Sequence, residues 1–323
     1  MRHYRAVAQK IILDCDPGID DAMAIAYAVG SPAVELVGIT TVAGNVGLDK
    51  TTSNALRLRE FLGAPQVPVT AGAAAPLRRP AITAEHVHGP DGLRGAALPP
   101  SAAAPEAGHA ADYIARTVMA APGEITLVAV GPLTNVALAL RREPGLVSAV
   151  RDFVIMGGST TRGNVTPAAE FNIAVDPEAA AEVFAAGWTV TMVGLDVTLQ
   201  ATAHPEVLSR LGALGRLAER LLLPCLRRYT GESGEPADSG ETGTGEPAVH
   251  DVCAVAYVAH PGLLGCVPAR VEVETEGRWT AGMTVTDFRA PPADRNARVA
   301  MTIDVPAFWE TVHEAYALAA AGL

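Results

Sequence analysis

The chain has 323 residues, 49% of them hydrophobic and 18% charged, with a formal net charge of −11. That composition supports a buried core, excludes a disordered chain, and sets the protein against a nucleic-acid backbone as partner. The cysteines show no Cys-x-x-Cys spacing, Met1 to Lys10 lacks a signal-peptide apolar stretch, and no run approaches the ~18 apolar residues of a membrane span, so a reduced, cytoplasmic protein is expected.

Ile11-Ile12-Leu13 reads as the end of a buried strand. It runs into Asp14-Cys15-Asp16-Pro17-Gly18-Ile19-Asp20-Asp21, which places four carboxylates within eight residues. Pro17-Gly18 forces a turn, and Asp20-Asp21 open an apolar segment, Ala22 to Val29, that reads as a helix with Asp20 as N-cap and Asp21 as a first-turn charge. Capping accounts for one or two of the acids and leaves the others unexplained. Crowded carboxylates are costly without a neutralising cation, so a metal ion or cationic-substrate site is expected there. In open α/β sheets ligands bind where strand carboxyl ends meet helix amino ends.

Further strands are predicted at Glu35–Val42, Val67–Ala71, Ile125–Val130, Phe153–Met156 and Thr189–Gly194. Helical patterns at Leu48–Leu62, Ala110–Ala120, Asn135–Arg142 and Pro177–Ala185 separate them, the last opened by an Asp176 cap and Pro177. This alternation predicts an α/β fold: a mainly parallel open sheet flanked by helices, with a Rossmann-like core and the active site at the carboxyl ends of its strands. The segments Val267–Glu274, Thr280–Thr286 and Arg298–Ile303 follow without intervening helices and suggest late antiparallel strands, before a final helix near Ala307–Ala319. One domain over 1–323 is expected. Two excursions, 71–110 (with His86-Val87-His88) and the Gly/Glu/Thr/Pro-rich 230–247, read as loops beside the site.

Asp16, Asp21 and Asp251 are oxygen-only candidates for a hard cation, and calcium tolerates such a mixed oxygen set better than magnesium does. The Asp-rich turn resembles the Asp-x-Asp-Pro-Gly-x-Asp-Asp signature of the inosine–uridine-preferring nucleoside hydrolase family. Ile39-Thr40-Thr41-Val42-Ala43-Gly44-Asn45, Gly131-Pro132-Leu133-Thr134-Asn135, Met156-Gly157-Gly158, Gly163-Asn164, Glu170-Phe171-Asn172 and His250-Asp251 resemble that family's remaining blocks, in its order, from about Ile11 to Trp309. The resemblance implies hydrolysis of the ribosyl C–N bond of ribonucleosides. It implies calcium held by Asp16, Asp21, Asp251 and the main-chain carbonyl of Val130, where family members often have Thr. It also implies Asp16 as general base and His250 as acid for the departing base. Asp20, Asn45 and Asn172 would hold the ribose secondary hydroxyls, with Asn164 and Glu170 toward the 5′-hydroxyl and Met156 lining the sugar pocket. Phe171 or Tyr229 would supply stacking on the base. For His86 and His88 the expectation is base contact or simple surface placement, their His-x-His spacing suiting a metal only on a strand. Asp14 is expected to point away from the metal. The family resemblance further implies a homodimer or homotetramer, with no nucleic acid or membrane as partner.

Two other readings compete. Asp14-Cys15-Asp16 superficially matches the Asp-x-Asp of haloacid dehalogenase-type phosphatases, in which His250-Asp251 and Glu170-Phe171-Asn172 have no place. A non-catalytic nucleoside- or sugar-binding protein on the same scaffold is the second, since the loop after Tyr229 lacks the aromatics of purine-accepting relatives.

Overall fold

The first strand, β1 (Gln9–Cys15), carries its side chains alternately into two helical layers. Ile11, Leu13 and Cys15 enter one core and Ile12 the other. The structure, a computed structural model, describes residues 8–230 and 246–323. After β1 come α1 (Ile19–Gly30), β2 (Val34–Thr41), α2 (Leu48–Phe61), β3 (Val69–Ala71) and the short α3 (Glu85–His88). Next are α4 (Ala110–Ala120), β4 (Ile125–Ala129), α5 (Thr134–Arg142), α6 (Leu146–Ala149) and β5 (Asp152–Met156). The chain continues through α7 (Phe171–Val175), α8 (Pro177–Ala185), β6 (Val190–Val193) and α9 (Leu195–Thr198). Then α10 (Pro205–Gly212), α11 (Gly215–Leu217) and α12 (Leu223–Thr230) lead to α13 (Asp251–Ala259), β7 (Leu264–Val273), β8 (Thr284–Asp287), β9 (Ala297–Ile303) and α14 (Val305–Ala321).

Among the described residues nine strands form a sheet in the order β3-β2-β1-β4-β5-β6-β9-β7-β8. The pairs from β3 to β6 are all parallel, as the strand–helix alternation predicts. β9 pairs parallel with β6 on one side and antiparallel with β7 on the other, and β8 closes that edge antiparallel to β7. The physical reason is connection length: the β7–β8 hairpin permits only antiparallel pairing, while the long helical crossover after β6 lets β9 return in the same direction. Because β1 is followed by β2 to one side and β4 lies on the other, strand order reverses between β1 and β4. A crevice opens at such a reversal, outside the strands' carboxyl ends.

One layer, with α1, α2, α13 and α14, buries Met23, Ile25, Leu58, Val255 and Phe308. The other, with α4, α5 and α8, buries Ile114, Val136, Val183 and Phe184. α1 starts two residues earlier than an Asp20 cap implies. Its N-cap is Gly18, and Asp20 sits inside the first turn. The capping work falls to Asp21, whose carboxylate accepts from the Gly18 N–H at 2.9 Å. A Cβ on Gly18 would stand 2.5 Å from His88 Nδ1 and 2.7 Å from Asn45 Nδ2, so nothing larger than glycine fits at the cap. The 71–110 excursion folds onto the carboxyl ends of the strands through α3, while 231–245 lies outside the described residues.

Candidate active site

β1 and β4 deliver the centre of the site. Asp16 follows β1 and is fully buried. Its Oδ2 accepts from the Asn45 N–H at 2.7 Å, and among the described residues its Oδ1 has no hydrogen-bond partner. Two glycines make room for it: a Cβ on Gly44 would lie 2.2 Å from Oδ2, and one on Gly131 2.6 Å from Oδ1. Asp21, also fully buried, accepts from the backbone N–H groups of Asp16 and Gly18, each at 2.9 Å, and from Asn45 Nδ2 at 3.0 Å. Asp251 opens α13 and brings a third carboxylate to the same place. Behind them Asp14 is held by Thr40 Oγ1 at 2.5 Å and Asn135 Nδ2 at 2.8 Å. A fully buried carboxylate gripped this way is not the exposed nucleophile a phosphatase needs.

The electrostatics of this cluster are adverse. Burial, then the neighbouring Asp21 charge, raises the Asp16 carboxyl well above its usual range. Burial raises Asp21 against the hydrogen bonds from Gly18 and Asp16. Asp251 is raised by burial and then by Asp21, Asp20, Asp16 and Glu170, all acidic. Among the described residues no group of three or more His, Cys, Asp or Glu side chains stands ready to hold a metal as it is. Asp21 instead spends its oxygens on backbone N–H groups. The donor chemistry nevertheless fits a hard cation: crowded oxygens, one orphaned Asp16 oxygen, and a glycine cradle around it.

Above this cluster lies a cavity of about 530 Å³, within the ~300–1,000 Å³ typical of small-molecule sites. Asp20, Asn45, Val130 and Asp251 border it beside the acids, and Met156, Glu170, Phe171 and Asn172 border it from β5 and α7. Asn164, His86 and His250 complete the set singled out by sequence, while Asp16 and Asp21 lie beneath. Tyr229 falls in the last turn of α12, and its side chain lies outside the described residues.

Several of these side chains bond to the protein as well as facing the cavity. Asn172 donates to the carbonyls of Val130 (2.8 Å) and Met156 (3.0 Å), fixing two strand ends. Glu170 caps α7, accepting from Asn172 N and Gly158 N at 2.9 Å and Ile173 N at 3.2 Å. Burial raises its carboxyl against those three bonds. Asn164 Oδ1 accepts from the Phe171 N–H at 2.9 Å. Asn45 Nδ2 also reaches the Asp16 carbonyl at 3.2 Å, so this residue ties its loop to both buried aspartates.

His250 is the N-cap residue of α13, is buried, and places Nδ1 2.8 Å from Thr198 Oγ1. His86 and His88 lie on α3 and not on a strand. Residues two apart on a helix point in different directions, so they form no metal pair. His88 is buried, borders the cavity, and accepts from the Ile19 N–H through Nδ1 at 3.0 Å; in the neutral ring its proton is therefore on Nε2. His88 and Thr198 are the site neighbours that sequence reasoning missed or undervalued. For His88 the clue was the His-x-His pair itself; for Thr198 there was none, because its partner lies far along the chain.

The family model described as inosine-uridine preferring nucleoside hydrolase matches residues 11–310. The chain is 47% identical over 312 residues to the non-specific ribonucleoside hydrolase RihC of Salmonella agona (strain SL483), covering 96% of this chain and 98% of that protein. It is 44% identical over 310 residues to the inosine-uridine preferring nucleoside hydrolase of Leishmania major, covering 95% and 97%. The purine-preferring ribonucleoside hydrolase from Gardnerella vaginalis superposes with a TM-score of 0.89 at 34% identity, covering 97% of this chain and 100% of that one. With its Asp-rich turn at the strand-order reversal and this likeness over nearly its whole length, the chain belongs to the inosine–uridine preferring nucleoside hydrolase family.

Proposed function

We propose that the whole chain is one catalytic domain that hydrolyses the N-glycosidic bond of ribonucleosides to free base and ribose, with Asp16 as general base. The observation that carries this reading is the orphaned Oδ1 of Asp16, buried beneath a nucleoside-sized cavity that Asp251 and His250 border. Asp16, Asp21, Asp251 and the Val130 carbonyl would hold a divalent cation, and calcium suits this irregular oxygen set better than magnesium. When bound, the cation supplies Lewis acidity toward water and hydroxyl oxygens.

The chain's own residues do the rest. Asp16 Oδ1, which no protein donor occupies, accepts the proton of the water attacking the anomeric carbon. The bond to the base breaks with oxocarbenium character on the sugar, and the acidic surroundings favour that positive charge. Asp20, Asn45 and Asn172 orient the secondary hydroxyls, while Asn164 and Glu170 stand at the 5′ end. Met156 packs against the sugar. His250 protonates the departing base nitrogen. His86 and Phe171 border the base, with Tyr229 as a further candidate. Phe171 is the sole Phe, Tyr or Trp bordering the cavity among the described residues, and acceptance of purines and pyrimidines alike is supported by the likeness to a non-specific ribonucleoside hydrolase. Among the described residues the four cysteines are free, and no helix is long and apolar enough to cross a membrane. A cytoplasmic homo-oligomer acting in nucleoside salvage is proposed from the family likeness alone.

The test is turnover of a nucleoside panel read as reducing sugar, before and after exhaustive chelation. Inosine and uridine should both be cleaved, chelation should abolish cleavage, and calcium should restore it. Ribonucleosides should outrun 2′-deoxyribonucleosides by about one to two orders of magnitude, since each unmet buried polar group costs ~1–3 kcal/mol. Full turnover in protein shown to be metal-free would sink the metal assignment, and absence of turnover on the whole panel would favour a binding protein.

A further inference from the structure

We propose that Thr198 is a positioning residue for His250, holding the imidazole so that Nε2 and not Nδ1 presents its proton to the departing base. The inference rests on the reading of His250 as leaving-group acid. Its basis is the 2.8 Å contact between Thr198 Oγ1 and His250 Nδ1, made between two buried side chains from separate elements.

The hydroxyl is firmly placed. Thr198 is fully buried in α9, which begins immediately beyond the carboxyl end of β6. Thr198 N donates to the N-cap carbonyl of Gly194 at 3.1 Å, closing the first turn of α9, and Leu195 N donates to Gly158 O at 2.9 Å, tying the helix to the chain just beyond β5. Gln200, just past α9, donates to Met301 O of β9 at 3.0 Å. A β-branched side chain on such a support has little rotational freedom. Gly194 must lack a Cβ for this docking, because one would stand 2.5 Å from the Gly158 carbonyl oxygen.

A hydroxyl is the right kind of partner for this task. It carries one proton and two lone pairs, so it pairs with Nδ1 whether that nitrogen bears a proton or not. As the C–N bond breaks, its electron pair stays on the base nitrogen, which takes the proton from His250 Nε2. The ring keeps its other proton on Nδ1 and donates it to Thr198 Oγ1. A carboxylate in the same place would hold the ring too, but would add a further acid beside Asp16, Asp20, Asp21, Glu170 and Asp251, where like charges already raise Asp251. Thr198 supplies orientation without charge. This differs from the Asp-His pairing of hydrolase triads, in which the partner also stabilises the imidazolium.

The test compares natural nucleosides with p-nitrophenyl riboside, whose leaving group departs without a proton. Thr198→Val should lower kcat for inosine and uridine by about tenfold to a hundredfold, leave KM within about twofold, and spare p-nitrophenyl riboside. Thr198→Ser, which keeps the hydroxyl, should recover most of the loss. Thr198→Ala repeats the comparison with a smaller side chain, so the result does not depend on the valine variant folding. Calcium content is equalised and checked by elemental analysis in each variant, because Asp251 adjoins His250. His250→Ala, measured alongside, separates two failures. If it slows both substrate classes alike, the acid assignment falls and Thr198 falls with it. If it slows only nucleosides while Thr198→Val and Thr198→Ala slow neither class or both equally, the Thr198 assignment alone is overturned.

Discussion

A carboxylate with one oxygen on a backbone N–H and the other on nothing is an expensive thing to bury, and Asp16 is such a group. Its cost and its chemistry have the same origin. The site needs a carboxylate with an oxygen free for a cation or a proton, and a protein donor on Oδ1 would remove that capacity. Asp16→Asn should therefore act in opposite directions on activity and stability. Loss of the general base should cut kcat for all substrates, including p-nitrophenyl riboside, by at least ~10²–10⁴-fold. The same change removes one of the mutually repelling charges, so the metal-free variant should melt at or above the metal-free parent temperature. Calorimetry after chelation checks the second half, and a variant melting well below the parent would show that Asp16 is structural. Gly131→Ala tests the geometry without altering charge. Its Cβ would stand 2.6 Å from Asp16 Oδ1, so kcat should fall although no charged group has changed.

Short elements carry the site, and they explain what could be read in advance. The parallel strands were legible because buried strands present unbroken apolar runs, and Ile125–Ala129 is buried throughout. α4 and α8 were legible to the residue, α8 through its Asp176 cap and Pro177. The stretch from α9 to α12 was not, because its helices are short, one turn is π-helical, and Gly212 and Gly215 interrupt the period. Most of the candidate site was legible as motifs, whereas Thr198 and His88 act through contacts that no local pattern announces. α9 also anchors the loop that bears Asn164 and Val165. Asp196 accepts from Thr160 N and Thr160 Oγ1 at 2.7 Å and from Thr161 Oγ1 at 3.1 Å. Asp196→Ala should release that loop and raise KM for ribonucleosides severalfold, with a smaller change in kcat, as steady-state kinetics would show. An unchanged KM would mean that Glu170 and Asn172 position the sugar without the loop's help.

At the scale of the whole molecule the acid cluster couples stability to pH and to metal. Burial lifts Asp14 from 3.8 to about 7, against the hydrogen bonds of Thr40 and Asn135. Asp16, Asp21 and Asp251 are raised as well, in each case chiefly by burial. A carboxyl whose folded pKa exceeds its unfolded one adds stability below the unfolded value and loses it as pH climbs through the folded value. For Asp14 that window runs from 3.8 to about 7. The metal-free fold should weaken across it, and a bound cation, favouring the ionised forms, should reverse the loss. Melting temperatures of chelated and calcium-loaded protein should therefore diverge between about pH 5 and pH 7, with the loaded form higher. A gap that stays constant with pH would argue that the cation sits elsewhere.

The position of β9 has a consequence for how the protein is made. β9 occupies the slot between β6 and β7, yet it is synthesised long after β6, with α9 to α13, β7 and β8 in between. Until it emerges, β6 (Val190-Thr191-Met192-Val193) is an apolar edge whose backbone groups have no neighbour on that side. A nascent or prematurely ended chain thus exposes a ready template for pairing with other chains during elongation. His250 and Asp251 also follow β6, so Asp16 and Asp21 wait in water until that stretch is made. The acid cluster and the covered sheet edge thus both depend on chain made after β6, first His250-Asp251 and then β9.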